Sequence, residues 1–176
     1  MTMTNTSSGK LLALDVSVSS IGIATCDPLR LGVRPLTTLE RRSKRADFDA
    51  LAQIFREQEA VAIICGLPLN MDGAEGERAE YIRKWAEKLA HGLRALLGTP
   101  APIIFWDERL STFAAREYLA ESSSTQEAKS KQKIGEDAAA AAVILQSYLD
   151  ARSSNEPRDY GRIDLPPKKN SSDKNI

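Results

Sequence analysis

Four acids stand where this chain changes direction. Asp15 closes the apolar run Leu11-Leu12-Ala13-Leu14, Asp107 and Glu108 close Ile103 to Trp106, and Asp137 opens an alanine-rich stretch. An aspartate at the end of a strand buried on both faces is costly unless something cationic sits beside it. Three acids from separate parts of one domain, each at the end of an element, can cage a hard divalent cation. Magnesium takes near-octahedral oxygen coordination from one or two carboxylates, waters and a substrate phosphate oxygen. Two such ions roughly 4 Å apart activate an attacking water and steady the leaving oxygen of a phosphodiester, which is the chemistry of a nuclease. Side chains alternate along a strand, so Asp107 and Glu108 do not both enter the cage. Glu108, with the longer arm, is favoured as the ligand and Asp107 is the second choice; Arg109 turns away or pairs with an acid or a phosphate. Taken singly, Asp137 reads more readily as a helix-capping acid than as a ligand, and Asp107-Glu108-Arg109 can be a solvated charge run.

The elements that must position these acids follow from hydrophobic periodicity. Lys10–Asp15 and Ile21–Cys26 read as two strands joined by a short turn into an antiparallel hairpin. Pro35–Glu40 reads as an edge strand. Phe48, Leu51, Ala52 and Phe55 fall at helical spacing, with Asp47 as the expected cap. Val61–Cys65 is apolar throughout and reads as a strand covered on both faces of a partly parallel sheet. A loop from Leu67 to Gly76 leads to a long helix over Glu77–Leu97 with Tyr81, Trp85 and Leu89 on one side, stopped by Gly98. After the strand Ile103–Trp106, a helix is expected over Thr112–Ala120 with Ser111 or Thr112 as cap, then a mobile basic loop over Glu121–Lys133, then a helix over Asp137–Leu149 packing on the sheet. The expected fold is a mixed α/β sheet with helices on both faces, with residues 10–151 as one domain between disordered tails at 1–9 and 152–176. Ligand sites in such sheets lie beyond the carboxyl ends of strands, where Asp15 and Asp107-Glu108 fall.

Composition narrows the class. The chain has 176 residues and no formal net charge, so binding of a nucleic acid must rest on local basic patches such as Arg41, Arg42, Lys44 and Arg45, or Lys129, Lys131 and Lys133. The first cluster reads more simply as a solvated charge run; the second precedes Asp137. Trp106 could stack on a base but reads better as core. Cys26 and Cys65 lie in apolar runs and read as buried reduced thiols of a cytoplasmic protein. No apolar run is long enough to span a bilayer, and residues 1–9 lack the pattern of a signal peptide.

Four stretches carry a resemblance: Leu11–Gly22; Gly66-Leu67-Pro68-Leu69-Asn70-Met71-Asp72-Gly73; Asp107-Glu108-Arg109-Leu110-Ser111-Thr112; and Asp137 followed by Ala140, Ala141, Ile144, Leu145 and Gln146. In register from Lys10 to Leu149 the chain resembles the YqgF family, also called RuvX, of pre-16S rRNA nucleases and Holliday-junction-resolvase-like proteins with the RNase H fold. The resemblance implies that Asp15, an acid of the Asp107-Glu108 pair and Asp137 are catalytic acids binding Mg²⁺ or Mn²⁺. The implied role is maturation of the 5′ end of small-subunit ribosomal RNA. The loop at Gly66–Gly73, Asn70 included, is expected to touch the substrate backbone, or else only to shape a tight turn. The first motif departs from the family, which has a glycine two residues after the acid and a basic residue before Ile-Gly. Here Ser17 and Ser20 stand at those places. Ser17 does not take positive φ cheaply, and the lost basic side chain removes a phosphate contact. Glu136 either adds an acid to the site or faces water.

The expected partner is therefore a nucleic acid, pre-16S rRNA first, with the protein a monomer or homodimer and not at a membrane. Cleavage of four-way DNA junctions is the rival and needs a dimer presenting two sites. An ATP-using protein of the sugar-kinase and actin kind needs a second such domain, for which the chain lacks room. A non-catalytic binding module is favoured by the altered first motif and disfavoured by the retained acids.

Overall fold

Alternation along the first strand sorts the whole core into two layers. Leu12, Leu14 and Val16 face one side of the sheet with the helices α1 and α2, whereas Leu11 and Ala13 face the other with α3. The computed structural model describes residues 8–109, 117, 135–154 and 160–168. Its elements are β1 (Lys10–Val16), β2 (Ser20–Cys26), β3 (Val33–Glu40), α1 (Lys44–Glu57), β4 (Ala60–Leu67), α2 (Glu77–Leu97), β5 (Ile103–Asp107), α3 (Glu136–Ser153) and β6 (Arg162–Ile163). The sheet order is β3-β2-β1-β4-β5-β6. Hairpin pairing makes β1, β2 and β3 antiparallel, while β1, β4 and β5 run parallel, so their carboxyl ends share one edge of the sheet.

The elements form for local reasons. β1 and β4 are apolar on both sides because both faces are covered, and Cys65 and Ile64 are fully buried. β3 is the edge strand, and Pro35 sits where the register with β2 shifts, so its missing N–H costs the ladder nothing. Gly98 ends α2 in the left-handed conformation. Both cysteines are buried and free, and burial pushes the Cys65 thiol well above its usual range. No described helix is long and apolar enough to cross a membrane.

Three expectations are corrected. The cap of α1 is Ser43, whose Oγ accepts the Ala46 N–H at 3.1 Å; Asp47 lies inside the helix, buried, where it accepts the Arg42 N–H and faces Arg41 at 3.5 Å. Asp47 lies in the first turn, where it is paired with Arg41 and accepts an N–H from before the helix, which leaves the cap itself to the serine. Tyr81 is 49% exposed, whereas Trp85 and Leu89 are buried. Steps of four residues drift about 40° each around a helix, which rotates Tyr81 out of the stripe. Beyond Arg152 the chain is not structureless. Gly161 accepts the Phe105 N–H, Ile163 pairs with Ile103, and Tyr160 packs edge-on against Trp106 at 5.3 Å. Only Tyr160, Ile163 and Leu165 are apolar there, too few to show a period, and they pack as a strap on the edge of β5. The helix expected over Thr112–Ala120, the loop over Glu121–Lys133 and residues 1–7 lie outside the described residues.

The N-terminus of α3 reaches the sheet only because of Gly22. A Cβ there would lie 2.0 Å from the Asp137 carbonyl oxygen and 2.7 Å from the Ala138 nitrogen, both backbone atoms that cannot turn aside. Gly22→Ala is therefore expected to destabilise the fold by about 3 kcal/mol, the upper end of overpacking costs. Urea denaturation measures this, and a loss near zero would show that α3 can shift freely.

Candidate active site

Side-chain alternation brings the acids together over a gap. Asp15 continues the face of Leu11 and Ala13, and Glu108 continues the face of Trp106, so both acids point to the α3 side; Asp107 shares its parity with Phe105 on the other side. Between β1 and β5 runs β4, whose residue at this level is Gly66, one step beyond the Leu14–Cys65 pair. With no side chain on the intervening strand, the two carboxyl groups meet across it. A Cβ at Gly66 would lie 2.5 Å from Glu108 Oε2 and 2.8 Å from Ile144 Cδ1. The glycine of the Gly66–Gly73 loop is thus required by close approach. Its φ is not positive, and neither is that of Ser17.

Asp137, in the first turn of α3, completes the acidic set. Its Oδ2 accepts the Ser20 Oγ–H at 2.5 Å. Ser20 in turn is held by Ser17, whose Oγ lies 2.9 Å from Ser20 Oγ and accepts the Ser20 N–H at 3.1 Å. The two serines that replace the glycine and the basic residue of the first motif thus lock the β1–β2 turn and orient an acid. Glu136 is exposed.

Burial first, and then the negative charge of Asp137, push the Asp15 carboxyl up to about 6. Burial and the charge of Asp15 push Glu108 higher, to about 8. The pair as a whole is therefore reluctant to give up its last proton, which lies between the two carboxyl groups. The Oε2 of Glu108 is buried with no hydrogen-bond partner. An orphaned carboxylate oxygen within an all-oxygen set whose members repel one another suits a hard cation such as Mg²⁺ or Mn²⁺. Among the described residues no three acids stand close enough to ligate an ion as placed, since Asp137 is turned to Ser20.

The remaining candidates fall elsewhere. Asp107 is gripped by Arg109, whose Nε and Nη2 donate to it at 2.8 and 2.6 Å; Arg109 Nη1 reaches the Met71 carbonyl at 3.3 Å and so ties the loop to β5. Asn70 is exposed, and its backbone N–H and C=O close the turn with Ala74 and Gly73. Trp106 is core, its Nε1 donating to Ser147. Lys129, Lys131 and Lys133 lie outside the described residues. Sequence reasoning missed Arg78, whose positive charge acts on both Asp15 and Glu108. An arginine in the first turn of a helix opposes the macrodipole, and that misfit was the available signal. Arg41, read from the sequence as part of a solvated charge run, instead donates to Ser17 O at 2.7 Å and to Tyr81 Oη at 3.2 Å, pinning the β1–β2 turn to α2.

The chain is similar to known proteins over most of its length. The family model described as "RuvX: Holliday junction resolvase" matches residues 9–151. A protein of Myxococcus xanthus named "Putative pre-16S rRNA nuclease" is 41% identical over 155 residues, covering 86% of this chain and 97% of its own. A protein of Anaeromyxobacter sp. with the same name is 42% identical over 144 residues, covering 81% and 98%. Among solved structures, Thermus thermophilus RuvC in complex with a Holliday junction substrate superposes with a TM-score of 0.52 at 13% identity, covering 82% of this chain and 96% of its own. Fowlpox virus resolvase with Holliday junction DNA gives 0.50 at 9% identity, covering 81% and 98%. At such identities the two structures establish the fold, which is RNase H-like.

Two outcomes test the carboxyl pair. An acid whose pKa is raised by folding leaves the native state holding more protons than the unfolded chain, so its contribution to stability falls as pH rises through the window from about 4 to about 8. Without divalent metal, the thermal stability of the wild type is expected to fall relative to Glu108→Gln across that window, and Mg²⁺ at pH 8 to restore it; parallel curves for the two proteins would contradict the burial of a charged pair. Gly66→Ala is expected to cost about 1–3 kcal/mol and to abolish stabilisation by Mg²⁺ or Mn²⁺ in thermal melts, because Glu108 can no longer lie over β4.

Proposed function

This chain belongs to the RuvX family, and on that footing we propose that it is a divalent-metal-dependent nuclease that matures the 5′ end of pre-16S rRNA in the cytoplasm. The observation that carries the reading is the Asp15–Glu108 pair meeting over Gly66, with Asp137 at the tip of α3 beside it. The names borne by the Myxococcus and Anaeromyxobacter relatives support the RNA substrate.

Asp15, Glu108 and Asp137 would hold Mg²⁺ or Mn²⁺. The ions, when bound, supply a nucleophilic water and neutralise charge on the phosphate. The chain's own residues set the conditions for this. Loss of the shared proton turns Glu108 from a donor to Asp15 into a full carboxylate, so activity rises with pH as that proton leaves. Ser20 orients Asp137. Arg109 neutralises Asp107 and keeps it out of the acidic set, while its grip on Met71 O fixes the loop that borders the substrate. Asp107 is accordingly a positioning residue in this reading, and Arg109 acts on the substrate only through the loop it holds.

The family model's description favours one second reading, resolution of four-way DNA junctions. Two symmetric cuts then require a dimer with paired sites. A side-by-side assay of a 5′-extended small-subunit rRNA precursor and a four-way DNA junction, each in Mg²⁺ and Mn²⁺, separates the two. The expected result is metal-dependent cutting of the RNA alone, lost by at least 10²-fold in Asp15→Asn, in keeping with the size of metal-centred catalytic effects. Cutting of the junction alone would transfer the assignment to the second reading. Cutting of neither, with no metal-induced rise in melting temperature, would refute the enzyme.

A further inference from the structure

At the carboxyl end of β1 the chain presents two faces within two residues. Asp15 looks toward α3, and Val16 looks the opposite way, into a cleft of about 230 Å³ between the β1–β2 turn and the start of α2. That volume lies below the roughly 300–1,000 Å³ of pockets that enclose drug-sized molecules, and it suits a single heterocyclic ring. Val16, Val18 and Ile82 supply apolar wall, Tyr81 an aromatic ring, and Arg78 and Glu77 the charged rim.

Three features mark this as a built site. Its apolar rim is open to solvent, with Val18 92% and Tyr81 49% exposed in a molecule whose other β1 and α2 apolar residues are mostly buried. Its walls are tied together, because Arg41 donates to Ser17 O on one side and to Tyr81 Oη on the other while its guanidinium lies over the Trp85 ring. Arg78 makes no hydrogen bond or ion pair with the described residues, yet its charge is felt at both Asp15 and Glu108. The cleft and the acids are therefore joined by a cation that has no partner among the described residues.

We propose that this cleft is a nucleotide subsite: it takes one unpaired base of the substrate against Tyr81 and Val18, while Arg78 holds a phosphate beside the acids. This rests on the nuclease reading and specifies what that nuclease must be offered. Base stacking on an aromatic ring tolerates any base, and a base inside a helix has no free face to give. Glu77 disfavours a phosphate inside the cleft, which leaves the phosphate to Arg78. Arg78 thereby fills the part of the basic residue that Ser20 does not supply, from α2 instead of from the hairpin. A strand that crosses the end of β1 meets Asp15 on one side and the cleft on the other, so the subsite selects single-stranded substrate flanking the cut.

The test measures binding without metal, so that cleavage plays no part. The probes are a 12-residue single-stranded RNA carrying 2-aminopurine at one position and the same strand in a fully paired duplex. The wild type is expected to bind the single strand about tenfold tighter than the duplex, from the worth of one base–aromatic stack, and to quench the 2-aminopurine. Tyr81→Ala loses the quench and the preference, whereas Tyr81→Phe, which keeps the ring, retains both. Arg78→Gln lowers the slope of log affinity against log salt by about 0.7, the share of one single-strand phosphate. Unchanged melting temperatures separate these effects from misfolding. Equal binding of both probes, or a Tyr81→Ala protein that discriminates like the wild type, would overturn the subsite while leaving nucleic-acid binding intact. Binding of neither probe would overturn the subsite and the nuclease reading together.

Discussion

Two carboxyl groups of like charge, buried beside each other, set the terms for this molecule. Burial raises both Asp15 and Glu108, with the charge of Asp137 adding to it at Asp15 and the charge of Asp15 adding to it at Glu108, so the fold does not keep them there for their own stability. They are held by what surrounds them: the parity of β1 and β5, a missing side chain on β4, and an α3 brought close enough to add Asp137. The sheet is rigid where it matters, because β1 and β4 lie in its middle with both faces packed. A site that is unfavourable without its ligand needs such a scaffold, and the cost is offset by packing elsewhere in the core.

The altered first motif illustrates how a local departure can leave the larger geometry intact. The turn between β1 and β2 is built by Ser17 and Ser20 through their hydroxyls, without a left-handed residue. The position that a basic side chain occupies in the family is used here to hold Asp137. Positive charge reaches the site from α2 instead, through Arg78, and the turn is clamped from β3's end by Arg41. The polar side chains at this edge thus come from several elements.

What could be read from the chain, and what could not, divides along the range of the forces involved. Strands β1, β2, β4 and β5 were legible because burial on both faces leaves apolar runs, and alternation told that Asp107 and Glu108 point to opposite sides, whereas the preference for Glu108 rested on the length of its side chain. The need for Gly22 and Gly66 was not legible as contact, because it depends on which backbone or side chain arrives from α3 and β5. Arg78 was hidden, and Arg41 read only as surface charge, for the same reason: a cation's role depends on which acid or carbonyl the fold brings near it. The strap at 160–168 escaped because two strand residues in a polar, proline-bearing segment carry no period. Its stability comes from Tyr160 on Trp106 and from Arg83 and Arg94 holding its carbonyls.

That strap gives the folding of the protein a direction in time. β6 follows every other described element in the chain, and it covers the open edge of β5, one strand away from the β4 that carries Gly66. Until those last residues have been synthesised, β5 presents unpaired backbone, the kind of edge on which sheets of different molecules join. The strap is thus what closes this edge of the sheet against pairing with another chain.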